Sequence, residues 1–257
     1  MMRFFSPLVC AVLLAACASP SSETTTTTAK DTTVAPVEAP RVAHTWHGYY
    51  TGNFPMAGGK HIQVDLWVRK DSTYIIQQLR EGDTLREGWI GQWHVVYAQG
   101  GPAGGLMTIG YAGDKPDFYL YTEKGLVMAD EMGVAAENQQ DWTLEKLADE
   151  IGDAIPRMKL MGTFTYMADA QSFQPCGAKF SWPCAGGMDM GEEEGEPLVK
   201  FDNADLQKLY RKAVKNGEDP WTIEAICTMG MGPAMEGDGA DEYVYIEQTP
   251  RTMERCP

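Results

Sequence analysis

Sulfur carries most of the chemistry that this sequence could perform. Six cysteines, Cys10, Cys17, Cys176, Cys184, Cys227 and Cys256, stand among fifteen methionines. Met188 and Met190 follow Cys184 in the run CAGGMDMGEEEGE, and Met229, Met231 and Met235 follow Cys227 in CTMGMGPAME. Thioethers prefer Cu(I), and Met-x-Met spacing supplies two of them on a short segment. Met188, Met190, Met229 and Met231 are therefore the candidate copper ligands. The competing reading is that methionine is adaptable packing material or decorates an exposed loop. A weaker soft-metal candidate is the stretch PMAGGKH, residues 55–61, where Met56 and His61 flank two glycines. Its plain reading is a glycine-rich turn. His44 and His47 could share a metal at three-residue spacing, whereas His94 reads as a sheet residue. Glu192, Glu193, Glu194 and Glu196 form a solvated acidic run without the spaced ligands of a calcium loop.

Enzyme signatures do not accompany this sulfur. The sequence contains no Gly-x-Ser-x-Gly, no His-Glu-x-x-His and no phosphate loop, so an interaction role is expected rather than catalysis. The formal charge is -15, from 36 acidic and 21 basic residues. Such a surface repels phosphate backbones and excludes nucleic acid as a partner.

The N-terminus supplies an anchor. Met1-Met2-Arg3 precedes an apolar run, Phe4 to Ala16, too short to span a bilayer. It ends in Leu14-Ala15-Ala16-Cys17, which resembles the bacterial lipobox. That resemblance implies cleavage before Cys17 and lipidation of Cys17, with residues 1–16 as signal peptide. Several acyl chains on one residue give stable membrane anchoring. Residue 18 is Ala, which resembles the sorting pattern for the outer membrane, facing the periplasm. Cleavage removes Arg3 and no acidic residue, moving the charge from -15 to -16. Four cysteines then remain unmodified, an even number that favours disulfides in an exported chain. Four cysteines allow three pairings, and spacing leaves all three open.

The elements around these residues are mainly strands. Residues 17–40 are a Ser/Thr/Pro-rich tether that cannot bury a core. Ile62, Val64, Leu66 and Val68 alternate with Gln63, Asp65 and Trp67, the period of a half-buried strand. Thr73–Leu79, Gly91–Ala98, Leu106–Ala112, Phe118–Glu123 and Leu126–Asp130 read as further strands between Gly-, Asp- and Pro-rich breaks. This spacing predicts an antiparallel meander or small barrel over 41–156. DWTLEKLADEIGDAI predicts a short linker helix starting at Asp141 and ending before Pro156. Over 157–257, strands are expected at Met161–Ala168, Trp221–Thr228 and Glu242–Gln248. Leu206, Leu209, Tyr210 and Ala213 predict one amphipathic helix, capped by Asp202 or Asn203 and ending near Gly217. Strands around one helix are compatible with an OB-like barrel.

YMADAQSFQPC, residues 166–176, resembles the signature strand and turn of the NlpE lipoproteins, which are linked to copper tolerance and envelope-stress signalling. The likeness continues through Asn203-Ala204-Asp205-Leu206, Tyr210 and Glu254-Arg255-Cys256, and through Trp142-Thr143-Leu144-Glu145. HGYYTGNFP, IQVDLWVRKDSTY and Gly91-Gln92-Trp93 resemble the family's N-terminal barrel. The resemblance implies a lipocalin-like barrel followed by an OB domain, and a Cpx-type sensor kinase as output partner. The family has Pro-Cys-x-x-Cys where this chain has PMAGGKH, with Met56 and Gly59 at the cysteine positions. Redox chemistry is thereby excluded from this loop. The resemblance also implies a Cys176–Cys256 disulfide that reports periplasmic oxidation, leaving Cys184–Cys227 as a second pair that would draw the two methionine sets together. The alternatives are a barrel that binds a small apolar ligand or acyl chain, and a structural envelope protein.

Overall fold

A computed structural model of the chain describes residues 43–97, 100–110, 115–149, 155–167, 170–187, 201–217, 219–235 and 237–257. The first barrel is built from β1 (Gly48–Pro55), β2 (His61–Val68), β3 (Thr73–Arg80), β4 (Arg86–Val96), β5 (Leu106–Ile109), β6 (Asp117–Thr122), β7 (Gly125–Ala129) and β8 (Thr143–Ala148). Each strand pairs antiparallel with the next, and β8 returns to β1. The result is a closed up-and-down barrel of eight strands, which leaves no edge within the ring. Tyr50, Val64, Leu66, Val68, Tyr74, Ile76, Met107, Ile109, Tyr119, Leu126 and Leu144 form its core. Strand alternation sends these side chains to one face, and closure makes that face the interior. Gly91 is small because Tyr74 crosses it: a Cβ there would lie 2.8 Å from the ring.

The linker helix expected from Asp141 is not formed. A single 3-10 turn, Gln139–Trp142, leads directly into β8. Leu144 and Leu147 suggested helical spacing, but Leu144 is buried inside the barrel and Leu147 is 59% exposed. Pairing with β1 and β7 outweighed local helix propensity, because β8 is the strand that closes the ring.

The second barrel contains β9 (Ile155–Met167), β10 (Ala170–Pro175), β11 (Trp182–Gly186), α1 (Asn203–Ala213), β12 (Trp221–Pro233), β13 (Ala240–Ile246) and β14 (Arg251–Thr252). Its order is β9-β10-β11-β13-β12, closed by β12 on β9, with β11 and β13 parallel. Five strands in this order, with a helix between the third and fourth, make an OB barrel. Asp202 caps α1 by accepting from the Asp205 N–H at 2.9 Å. Leu206 and Tyr210 bury its apolar face. The helix stops at Ala213, earlier than expected, where the Val214 N–H bonds the Tyr210 carbonyl.

The barrels join through β4 and β9, which pair in parallel at Arg86–Met158 and Glu87–Lys159. Trp67, Ile75 and Ile90 belong to strands of the first barrel but pack in the same cluster as Met158, Leu160 and Phe164 of the second. This explains why Asp65, Leu66, Trp67 and Val68 are all buried in succession. Gly88 leaves room at the join, since a Cβ there would sit 2.5 Å from the Met158 sulfur.

Candidate functional site

The chemistry of the second barrel centres on its C-terminal tail. β13 bonds the edge of β12 from Pro233 to Cys227. Past Gln248-Thr249-Pro250 the chain resumes as β14, which bonds the same edge at Ile223 and Glu224. Three further contacts hold this strap. Arg251 grips Glu224 through Nε at 3.1 Å and a second nitrogen at 2.9 Å. Trp221 Nε1 donates to Thr252 Oγ1 at 3.0 Å, and the Met253 N–H bonds the Thr222 carbonyl. The tail then bonds covalently to the end of β10 through Cys176–Cys256, with Cα atoms 5.5 Å apart and a sequence separation of 80. Cys176 is buried, and its N–H bonds the Met161 carbonyl. The Arg251 guanidinium holds the Glu224 carboxyl below its usual range.

The second cysteine pairing is corrected by the structure: Cys184 and Cys227 are free, buried thiols. Cys184 lies on β11 beside Val244, and Cys227 lies on β12 beside Ile246. β13 runs between them. Two inter-strand spacings come to roughly 9–10 Å, beyond the reach of a disulfide. Burial pushes both thiols up, so neither is a ready nucleophile.

No disulfide between Cys184 and Cys227 draws the methionine sets together. Met188 and Met190 lie outside the described residues, as do Cys17, the tether and the glutamate run. Met229 is buried in the core, whereas Met231 is 60% exposed. Met231 pairs with Glu242 at the start of β13. β11, which leads towards Met188, ends beside Ile246 four residues further on, about 13 Å at strand rise.

PMAGGKH forms the end of β1, a 3-10 turn at Ala57–Gly59 and the start of β2. Positive φ at Gly58 and Gly59 accounts for the two glycines. Met56 and His61 are both exposed, and the Met56 N–H closes the turn on the Lys60 carbonyl. His61 lines an open depression of about 500 Å³ with Asn53, Gln63 and Glu81. His44 stacks on Tyr121 at 4.6 Å, and His94 is exposed on β4. Among the described residues, no group of three or more His, Cys, Asp or Glu side chains could hold a metal ion.

Tyr50, Tyr74 and Tyr119, each fully buried, fill the first barrel. Tyr50 OH donates to the Trp46 carbonyl at 2.7 Å. Burial raises the Tyr50 and Tyr74 phenols well above their usual range.

Sequence reasoning missed the polar groups at the join. Arg69 makes two 2.6 Å bonds to Glu242, and Trp182 Nε1 donates to the same carboxylate at 3.0 Å. Asp65 is buried and accepts from Thr51 at 2.6 Å, Tyr49 at 3.0 Å and Arg86. Trp67 was the available signal, a large apolar side chain on the otherwise polar face of β2.

A sequence model of the NlpE C-terminal OB domain matches residues 154–256. Lipoprotein NlpE of Escherichia coli (strain K12) is 25% identical over 194 residues, covering 73% of this chain and 70% of that protein. Among solved structures, the Cpx pathway activator NlpE from Escherichia coli is similar at 19% identity, covering 80% of this chain and 95% of that one, with a TM-score of 0.32.

Proposed function

Since residues 154–256 belong to the NlpE C-terminal OB domain family, we propose that this chain is a lipid-anchored envelope protein that reports stress by interaction rather than catalysis. Cys17 carries the lipid, and the folded part stands on the periplasmic side of the outer membrane. Similarity to lipoprotein NlpE over 194 residues supports this reading. The partner expected from the family resemblance is a Cpx-type sensor kinase.

The observation that carries the reading is the strap closed by Cys176–Cys256. Exchange with a reduced dithiol would transfer two electrons and two protons, leaving two thiols here and a disulfide on the donor. β14 and the tail would then be held by two ladder positions, the Trp221–Thr252 and Met253–Thr222 hydrogen bonds and a water-facing ion pair. Such contacts are weak. Release would uncover the β12 edge at Ile223 and Glu224. Stress-pathway output from Cys256→Ser is expected to exceed that of the parent in oxidising medium; unchanged output counts against the reading.

Copper handling is the finer part of the proposal, through Met231 with Met188 and Met190. A Cu(I) competition titration on the parent and a Met188→Leu/Met190→Leu/Met231→Leu variant tests it. Binding lost in the variant supports copper buffering, and binding no greater than the competitor's background removes it. The aromatic filling of the first barrel favours an interaction role over an apolar-ligand barrel.

A further inference from the structure

The first barrel carries an apolar patch that the strap does not involve. Three segments converge on the 100–105 loop. A Cβ on Gly104 would lie 2.1 Å from His44 Nε2, and one on Gly105 would lie 3.0 Å from the Tyr97 ring. A Cβ on Gly133 would lie 2.7 Å from Pro102. Around this loop, Tyr97 is 47% exposed, Met132 57% and Val134 65%.

The 130–134 turn is built to present the last two. Asp130 Oδ1 accepts from the Met132 N–H at 2.9 Å and the Val134 N–H at 2.8 Å. The Asp130 N–H bonds the Val134 carbonyl at 3.0 Å, and the Gly133 N–H bonds the Asp130 carbonyl at 3.0 Å. The backbone is satisfied internally while the side chains point outwards. An exposed tyrosine and two exposed apolar side chains around one loop suit a membrane interface, where an amphipathic ring sits at headgroup level.

The preceding chain identifies the surface. Residues 1–42 lead into the described fold at Ala43 and His44, and His44 lies against the same loop. From Cys17 to Ala43 the chain can reach at most about 90 Å. A lipid on Cys17 holds the fold near the bilayer at high local concentration, and His44 brings the incoming chain beside this patch, so a weak apolar contact there suffices. Glu131 is exposed beside Met132, and the net charge is strongly negative, which favours a zwitterionic over an anionic lipid surface.

We propose that Tyr97, Met132 and Val134 seat the first barrel on the lipid surface to which Cys17 is anchored. The proposal rests on the lipidation reading, and the test separates the two. The full lipidated chain with Met132→Cys carries a fluorophore there and is reconstituted in phosphatidylcholine vesicles containing doxyl-labelled lipid. A Lys208→Cys label on α1 serves as control. Co-flotation with vesicles that is lost in Cys17→Ser supports the lipid anchor. A label at 132 that loses more than half its emission, against little loss at 208, supports the patch. Tyr97→Ser/Val134→Ser is expected to abolish that difference. In a second arm, an N-terminal histidine tag replaces residues 1–17 and holds the chain on nickel-chelating lipid. Equal quenching at 132 and 208 there overturns the patch whatever Cys17 does. Equal quenching with patch-dependent dimers in sedimentation also overturns it, assigning the patch to a second copy.

Discussion

The two barrels are finished differently. In the first, each of eight strands bonds its sequence neighbours and β8 completes the ring on β1. In the second, β13 bonds β12 only from Cys227 onwards, and the remaining edge waits for β14 and the tail. Both rings close by a hydrogen-bond ladder, β8 on β1 and β12 on β9; the second also carries a tail strand tied by a covalent bond to the end of β10. Sensitivity to redox conditions is therefore concentrated in the second barrel.

That contrast is most exposed to Cys256→Ser. Removing a crosslink with a sequence separation of 80 is expected to destabilise the second barrel by about 4 kcal/mol on the chain-entropy account. Urea unfolding, with amide exchange resolved by barrel, should show the loss on β12 and β14 before β2 and β3. Equal loss in both would mean that the shared core around Trp67 and Met158 has fused them into one unit. Leu66→Ala is the reciprocal case. It empties a fully buried site and should cost about 3 kcal/mol, with no dependence on reductant. A reductant-dependent cost would break the division. Glu242→Ala strips Arg69 and Trp182 of their shared acceptor at the join and should cost about 1–2 kcal/mol. Separation of the two unfolding transitions in calorimetry is its readout. The smallest effect is one of pH. The Arg251 hydrogen bond depresses the Glu224 carboxyl in the folded state. Its contribution is present above the unfolded glutamate value of about 4.3 and is lost as pH falls through the lower folded value. Amide exchange at Thr252 and Met253 should therefore quicken in acid before the rest of β12 does. Uniform protection down the titration would remove this role.

Much of this architecture was legible where local pattern and tertiary fate agree. Ile62, Val64, Leu66 and Val68 announced β2, and the cap and apolar face announced α1. The failures have one cause, since each depended on a distant partner. β8 looked helical because Leu144 and Leu147 are three apart, but the barrel needed one more strand. Cys184 and Cys227 looked like a pair because the resemblance, by assigning Cys176–Cys256, left them over, but β13 stands between them. Asp65 and Trp67 looked solvent-facing by alternation until a second barrel covered them. At the candidate site, Cys176 and Cys256 were named through the family resemblance rather than spacing. The Glu224–Arg251 grip and the return of β14 to the β12 edge left no local signature.

The separation of the two bonded cysteines also sets an order of events. A chain that emerges N-terminus first presents Cys176 while α1, β12 and β13 have yet to appear. Its partner follows 80 residues later, after every element of the second barrel. An early bond to Cys184, and later to Cys227, would therefore be an error available before Cys256 appears. Formation of the Cys176–Cys256 bond thus requires the whole second barrel to have emerged. A chain that stops short of Cys256 lacks the second sulfur and cannot close the strap.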